Sequence, residues 1–269
     1  MTHLDHTHDK NATSWVEMPS GRVDFPIQNL PFGVCGTHGI IVAIGNQALH
    51  LQAAVQSDLP ELSGEVACAL SANNLNDFMR CGKKAWTETR HAIFNLLSSE
   101  SSPKPNLLLP MDSLDLIIQA AIGDYTDFYA ARNHATNVGK MFRPDGDPLM
   151  PNYLHLPVGY HGRASSVVIS GTNIKRPYGQ LKLDDNDPVF AQCKLLDYEL
   201  EFGAFVGTGN AMGERITMTN ATDHLFGLVI LNDWSARDIQ KWEYQPLGPF
   251  NAKNFATSIS PWIVTIDAL

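Results

Sequence analysis

The stretch CKLLDYELEFGAFVG, residues 193–207, alternates acidic and apolar side chains with the two-residue period of a β-strand. Three acids and three apolar residues interleave: Asp197, Glu199 and Glu201, with Tyr198, Leu200 and Phe202. Because successive side chains of a strand point to opposite faces, the pattern predicts one apolar face and one densely negative face. Neighbouring carboxylates on one face repel each other. The strand therefore indicates either an ordinary solvated acidic face or a cation held between the acids.

Composition narrows the class of protein. The chain has 269 residues, enough for one large domain or two ordinary ones. Its 44% hydrophobic and 17% charged residues are typical of a soluble globular protein. A net charge of -9 argues against a nucleic-acid partner or a membrane-surface partner, because no basic field attracts phosphates. No apolar run reaches membrane-spanning length.

The cysteines and the N-terminus indicate the cellular compartment of the protein. The four cysteines form no CxxC pair, which favours a reducing compartment and a core-packing role: Cys35, Cys68, Cys81 and Cys193. The polar N-terminus lacks the apolar region of a signal peptide, so we predict a cytoplasmic protein. Residues 1–20 are expected to be disordered or loosely attached. His3, His6 and His8 in this segment have the chemistry for weak metal binding, but a flexible tail is the expectation.

Periodicity and turn signals predict two regions. Residues 39–51 indicate a hairpin around Gly45-Asn46, and residues 74–98 have helical apolar spacing. The Ser- and Pro-rich stretch 98–106 predicts a boundary there or as far as residue 118. Six strand-like runs follow, at 115–122, 154–160, 165–170, 196–207, 225–233 and 260–266, with short helices around 127–138 and 235–244. Because the last run is followed by nothing that would pair or cover it, we expect the chain to be a fragment.

Polar residues at helical spacing mark two candidate sites. Asp233, Arg237, Gln240 and Tyr244 fall on one face of a helix predicted to begin at Ser235 or just before it. In the other site, Thr126 or Asp127 is predicted to cap a helix that runs to Gly139. That helix would place Asp127 and His134 on one face, about 10 Å apart along the axis. The alternatives are a solvent-facing helix in the first case and a structural or exposed histidine in the second.

The acids that these patterns share indicate a metal. Carboxylates at Asp127, Glu199, Glu201 and Asp233 offer oxygen ligands without Cys or His, which favours Mg²⁺ or Ca²⁺ over zinc. A divalent cation would offset the repulsion on the acidic strand and act as a Lewis acid toward a carbonyl oxygen. Asp197 would then face solvent.

Four blocks of sequence closely resemble the fumarylacetoacetate hydrolase family: GDYTDFYAARNHATNVGKMFR, LHLPVGYHGRASSVVISGT, CKLLDYELEFGAFVG and NDWSARDIQKWEYQPLGPFNAKNFATSISPW. The resemblance is dense over 123–269, and DFPIQNLPFGV at 24–34 is similar to the family's N-terminus. It implies a mainly β fold with short helices. A small SH3-like N-terminal barrel, within residues 1–118, would be followed by a family-specific mixed β-roll domain, residues 119–269, that lacks its C-terminal part.

The resemblance also implies a function and a set of roles. The family hydrolyses the C–C bond of fumarylacetoacetate to fumarate and acetoacetate, the last step of tyrosine catabolism, as a homodimer that uses Ca²⁺ or Mg²⁺. The implied metal site is lined by Asp127, Glu199, Glu201, Asp233, Lys253 and Thr257. The implied base is His134, and the groups that stabilise negative charge are Arg237, Gln240 and Lys253. The implied diketo-acid binding residues are Tyr129, Arg143, Tyr160, Gln240 and Tyr244.

The sequence departs from the family pattern in two ways. Ala256 stands where a glycine is expected near the substrate. The family's chains also continue past the position that matches Leu269, and there they supply a glutamate that orients the base and a threonine that contacts substrate. Two other readings remain: another member of the superfamily, such as an acylpyruvate hydrolase or a decarboxylase, and a truncated, non-catalytic metal-binding chain.

Overall fold

A computed structural model describes residues 4–21, 23–59, 61–182 and 186–269. The fold is rich in β-sheet and contains short helices, which confirms the predicted class in its coarse form. Within the described residues, no helix has the length and apolar character needed to cross a membrane.

Five antiparallel strands form the N-terminal sheet: β1 (Phe32–Cys35), β2 (Gly39–Ile44), β3 (Gln47–His50), β4 (Leu108–Pro110) and β5 (Leu116–Ile117). Their order in the sheet is β4-β3-β2-β1-β5. The predicted hairpin is confirmed, since Ile44 pairs with Gln47 across a two-residue turn. Gly45 has a φ of 55°, a left-handed conformation that glycine adopts at little cost.

Four helices pack beside this sheet: α1 (Leu51–Ser57), α2 (Gly64–Leu70), α3 (Asn76–Arg80) and α4 (Lys83–Leu97). The helical stretch predicted over 74–98 is therefore two helices. Gly82 separates them with a φ of 84°, which lies outside the right-handed helical region. Helix α4 buries Trp86, Ile93 and Leu97, as its apolar spacing predicts.

Two predictions for the N-terminal region are wrong. The segment 4–20 is attached to the C-terminal end of α4 rather than loose: Ser14 bridges to Ser98, Trp15 Nε1 donates to the carbonyl of Leu96 at 2.8 Å, and Val16 is buried. The linker-like stretch 98–106 does not end the first region, because β4 and β5 return to the same sheet after it. Its Ser and Pro residues are used in turns within this region.

The remaining strands, most of them short, are β6 (Thr126–Phe128), β7 (Gly159–His161), β8 (Val167–Ile169), β9 (Tyr178–Leu181), β10 (Val189–Gln192), β11 (Leu196–Asp197), β12 (Leu200–Val206), β13 (Leu225–Asp233), β14 (Ser235–Ala236), β15 (Thr257–Ile259) and β16 (Val264–Thr265). The helices among them are α5 (Arg132–Phe142), α6 (Ala221–His224) and α7 (Arg237–Leu247). The main sheet has the order β12-β13-β15-β8, with β16 also paired to β13. Its long, largely apolar central strand β13 was predicted.

One hydrophobic core joins the two regions. The ring of Phe226 on β13 lies 5.7 Å from that of Phe32, 5.7 Å from that of Phe78 and 5.3 Å from that of Trp86, between centroids. Phe32 and Ile263 also exchange both backbone hydrogen bonds, at 2.9 and 2.7 Å. The N-terminal sheet is therefore completed by side chains that lie more than a hundred residues later in the sequence.

The acidic strand is two strands; Glu199 and Glu201 face inward, whereas Asp197 is exposed. β11 ends at Asp197 and β12 begins at Leu200. Tyr198, Leu200 and Phe202 expose 67%, 75% and 74% of their surface, whereas Glu199 and Glu201 are partly buried. The solvated acidic face is therefore excluded, and it is the apolar face that lies open.

Candidate active site

Sheet pairing brings the acids together. Glu199 and Asp233 exchange both backbone hydrogen bonds, at 3.1 and 3.0 Å, so they lie directly opposite each other. Glu201 lies two residues farther along β12 and therefore on the same face. Asp127 comes from β6, where it pairs with Tyr160 of β7. Carboxylate oxygens of Asp127, Glu201 and Asp233, here called the acid cluster, lie within 4.8 Å of one another.

The helical placements predicted for two of these acids are wrong. Helix α5 begins at Arg132 and helix α7 at Arg237, so Asp127 and Asp233 are strand residues. Asp233 continues β13 because it pairs with Thr257 of β15 as well as with Glu199. Arg237 and Gln240 do lie on one face of α7, as predicted, because Arg237 Nη1 donates to Gln240 Oε1 at 3.0 Å.

Burial and neighbouring like charges raise the pKa values of Glu201 and Asp233. Burial, with Asp127, Asp233 and Glu199 nearby, raises the pKa of Glu201 to about 8. Burial and the same neighbours also raise the pKa of Asp233, against the opposing effect of Lys253. Without a cation, Glu201 therefore tends to stay protonated at neutral pH, and a bound cation would displace that proton.

Tyr160 ties two of the acids together. Its hydroxyl donates to Asp127 Oδ2 at 2.9 Å and lies 3.3 Å from Asp233 Oδ2. Burial and the adjacent carboxylates raise the pKa of this phenol, which keeps it protonated and able to donate. The tyrosine thus fixes the orientation of two carboxylates whose other oxygens remain available.

Two cationic side chains pair with Glu199, the fourth predicted metal ligand. Lys253 is buried, and its Nζ lies 2.7 Å from Glu199 Oε2, 2.8 Å from Ser235 Oγ and in contact with Asp233. Arg237 Nη2 lies 2.7 Å from Glu199 Oε1. Burial alone would raise the pKa of Glu199, but the two cations outweigh it and lower that pKa. Lys253 therefore links Glu199 to the acid cluster through its contact with Asp233.

The donor set fits a hard divalent cation. Its available atoms are carboxylate oxygens, which Mg²⁺ and Ca²⁺ prefer, and no Cys or His belongs to the cluster. Tyr160 and Lys253 orient its carboxylates from outside, as hydrogen-bonding partners of metal ligands commonly do. A divalent ion would also remove the repulsion that raises the pKa of Glu201.

The other residues predicted for the site differ in their burial and in the contacts they make. Thr257 is buried, and its Oγ1 lies 3.1 Å from the hydroxyl of Tyr125. His134 is exposed on α5, with its ring 5.4 Å from that of Tyr129 in an edge-on arrangement. Arg143 is exposed and donates to the carbonyl oxygens of Asp147 and Pro148 in the loop after α5. Tyr244 on α7 is 39% exposed.

Sequence reasoning missed three residues that shape the site. Asp197 is exposed, as expected, but its Oδ2 also lies 2.9 Å from Arg237 Nε and fixes that guanidinium together with Glu199. Ser235 Oγ accepts from Lys253 Nζ, and the hydroxyl of Tyr125 lies against that of Thr257. An acid two residues before Glu199 on the same strand face was a usable signal for Asp197, whereas nothing local marks Ser235 or Tyr125.

Comparison with known proteins assigns the family. Residues 28–118 match the family model described as fumarylacetoacetase N-terminal, and residues 124–269 match fumarylacetoacetate (FAA) hydrolase C-terminal. The chain therefore belongs to the fumarylacetoacetate hydrolase family.

Several relatives of this chain carry the name fumarylacetoacetase. The chain is 52% identical to the fumarylacetoacetase of Dictyostelium discoideum, 53% to that of Bos taurus and 51% to that of Homo sapiens, in each case over 91% of its length. It spans only 61–62% of the length of these relatives. Among solved structures, the fumarylacetoacetate hydrolase of psychrophilic Exiguobacterium antarcticum shares the fold, with a TM-score of 0.52 and 18% identity over 89% of this chain and 68% of that one.

Proposed function

We propose that this chain supplies the metal-binding and charge-stabilising part of an enzyme that hydrolyses fumarylacetoacetate to fumarate and acetoacetate. The observation that carries the proposal is the acid cluster beside Lys253 and Arg237, in a chain about half identical to proteins named fumarylacetoacetase. A centre of this kind pairs a cation site with fixed donors for developing negative charge.

The proposed metal is Mg²⁺ or Ca²⁺, held by Asp127, Glu201 and Asp233, with Glu199 as the fourth ligand. When bound, the ion would polarise a carbonyl oxygen of the substrate. Support comes from the oxygen-only donor set and from the raised pKa of Glu201. A family-fold neighbour, the maleylpyruvate hydrolase of Sphingobium sp. SYK-6, was solved in complex with manganese (II) ion and pyruvate, and the two folds share a TM-score of 0.50.

The chain's own side chains would carry the rest of the reaction. His134 takes a proton from water, whose oxygen adds to one carbonyl carbon of the β-diketone. Arg237 and Gln240, already hydrogen-bonded to each other, stabilise the resulting oxyanion. The C–C bond then breaks, the electron pair passes to the acetoacetate fragment, and a proton completes that product. Lys253 stabilises charge on the departing fragment.

The proposed diketo-acid substrate is bound by Tyr129, Arg143, Tyr160, Gln240 and Tyr244. A planar guanidinium suits a carboxylate because it donates two parallel hydrogen bonds. Arg143 would have to leave its carbonyl partners in the 147–148 loop to do so. Arg143 is exposed, which supports that rotation.

We further propose a homodimer in the cytoplasm. All four cysteines lie in the described part of the chain and are free thiols, which supports a reducing compartment. The open apolar face of β12 supports contact with another protein surface.

We also propose a division at residue 118, with the N-terminal part an SH3-like barrel. Five short antiparallel strands in residues 32–117 support that assignment.

The test is loss of fumarylacetoacetate absorbance with chain 1–269 and Mg²⁺ or Ca²⁺. It is paired with the same chain extended through the C-terminal region of the Bos taurus relative. We expect the extended chain to turn over substrate, His134→Ala to abolish turnover while metal still stabilises the fold, and Glu199→Gln to lose both. A folded, metal-binding extended chain without turnover would refute the proposal, and near-full activity of His134→Ala would refute the proposed base.

A further inference from the structure

A second group of metal-type ligands lies outside the acid cluster, where the N-terminal segment meets α4. Asp5, His6 and His91, here called the N-terminal cluster, place one ligand atom each within 4.8 Å of one another. His91 Nε2 lies 2.6 Å from Asp5 Oδ2, and the ring centroids of His6 and His91 are 4.8 Å apart. This cluster contains two imidazoles, whereas the acid cluster contains none.

A buried contact fixes the segment that carries Asp5 and His6. Thr7, the residue after His6, is fully buried, and its Oγ1 accepts from Arg90 Nε at 3.0 Å. Arg90 is also buried and donates to the backbone carbonyls of Gln28 and Asn29. Because Arg90 precedes His91 on α4, the same contact sets the position of both sides of the cluster. The ligands are therefore held by folded structure and not by a mobile tail.

The two oxygens of Asp5 have different surroundings. Oδ1 accepts from the backbone N–H of Thr7 at 2.8 Å and from its hydroxyl at 2.7 Å, and it lies 3.1 Å from His8 Nδ1. Oδ2 is turned toward His91. A ligating carboxylate is commonly held in this way, with one oxygen engaged by the protein and the other directed at the ion.

We propose that Asp5, His6 and His91 bind a borderline divalent transition-metal ion, with Zn²⁺ as the representative. Imidazole and carboxylate donors suit such ions, whereas Mg²⁺ and Ca²⁺ favour oxygen alone. Donors about 2.0–2.1 Å from a tetrahedral zinc lie roughly 3.4 Å from one another. Side-chain rotations that separate Asp5 Oδ2 from His91 Nε2, now 2.6 Å apart, and keep all three donors within their present 4.8 Å would form the site. A fourth position remains for water. The bound ion would fasten the N-terminal segment to α4.

The test is calorimetric titration of chain 1–269 with Zn²⁺ in saturating Mg²⁺, which keeps the acid cluster occupied. We expect His6→Gln and His91→Gln each to weaken one Zn²⁺ site by at least tenfold. His155→Gln, which changes an exposed histidine elsewhere, should leave the affinity unchanged. Glu201→Gln should also leave it unchanged, since that variant disturbs only the acid cluster. Melting curves without metal will show that both cluster variants fold, because neither side chain is fully buried.

His3→Gln separates this site from chelation by a tail, since His3 lies outside the described residues. If Zn²⁺ binding falls in His3→Gln and His6→Gln but not in His91→Gln, a tail chelate is the explanation and the proposal fails. Equal affinity in the parent and both cluster variants also overturns it. The proposal is independent of the enzymatic function, because neither readout involves turnover.

Discussion

At the scale of single residues, Glu199 and Glu201 show how neighbours decide the chemistry of identical side chains. They lie two positions apart on one strand face, and both are partly buried. Lys253 and Arg237 lower the pKa of Glu199 despite its burial, whereas burial and three other acids raise that of Glu201 to about 8. Sequence alone predicted that acids gather here. It did not distinguish these two, because the cations arrive from residues 36 or more positions away.

Glu201→Gln should abolish stabilisation by Mg²⁺ or Ca²⁺. It removes a charged ligand from the acid cluster, and a bound ion stabilises the native state by about 2.7 kcal/mol at a hundredfold excess over Kd. Melting curves with and without the ion measure this, and adding a chelator should return the parent protein to its metal-free Tm. The matched control is Glu214→Gln, an exposed acid. An equal Tm rise in Glu201→Gln and the parent would contradict the assignment.

Cys193 should resist alkylation at pH 8 while Cys68 reacts. Burial and the hydrogen bond that its thiol donates to Asp238 raise the pKa of Cys193 to about 11, so it stays a thiol at that pH. Cys68 is exposed. Iodoacetamide followed by peptide mass spectrometry reads out each site, with Cys68→Ser as the control for peptide assignment. Rapid labelling of Cys193 in the folded chain would show that the thiol is neither buried nor bonded as described.

At the scale of elements, local signals were predictable and long-range pairing was not. The hairpin at Gly45-Asn46 follows from turn chemistry within a few residues. The strand placement of Asp127 and Asp233 depends on partners at Tyr160 and Thr257, which no local pattern reveals. Polar residues at helical spacing misled the prediction because spacing alone does not show where a strand ends.

Gly162→Ala should destabilise the fold by roughly 1–3 kcal/mol, the usual cost of overpacking. A Cβ at this position would lie 1.9 Å from Tyr125 Cζ, so the ring beside Thr257 must move. Urea unfolding measures the change. Gly146→Ala is the matched control, because a Cβ there meets nothing within 4 Å. Similar stabilities for the two variants would mean that Tyr125 packs elsewhere.

At the scale of the whole molecule, the shared core makes the two regions depend on each other. Phe226 contacts three aromatic rings of the N-terminal region, and Ile263 pairs with Phe32. The proposed division near residue 118 is therefore a change in sheet membership and not a gap in the packing. The sequence could not predict this packing, because no pattern in either region identifies its partner.

Phe226→Ala should lower the free energy of unfolding by about 3–5 kcal/mol, the usual cost of deleting a buried ring. The N-terminal sheet and the main sheet should still unfold in one transition, because they share the core. Urea unfolding followed by circular dichroism and by tryptophan fluorescence tests both statements. Phe190→Ala, which changes a ring that is 75% exposed, is the control. Two separate transitions in the parent protein would refute the shared core.

The pairing of Phe32 with Ile263 also has a consequence for folding during synthesis on the ribosome. At about 5–20 residues per second, residue 263 is added roughly 7–30 s after residue 118. During that interval the N-terminal sheet exists without Ile263 and the Phe226 ring, which complete its core. We expect a nascent chain arrested near residue 118 to bind a hydrophobic dye and a chaperone, and one arrested well beyond residue 265 to bind less of both. Equal binding by the two chains would show that the early sheet closes its core unaided.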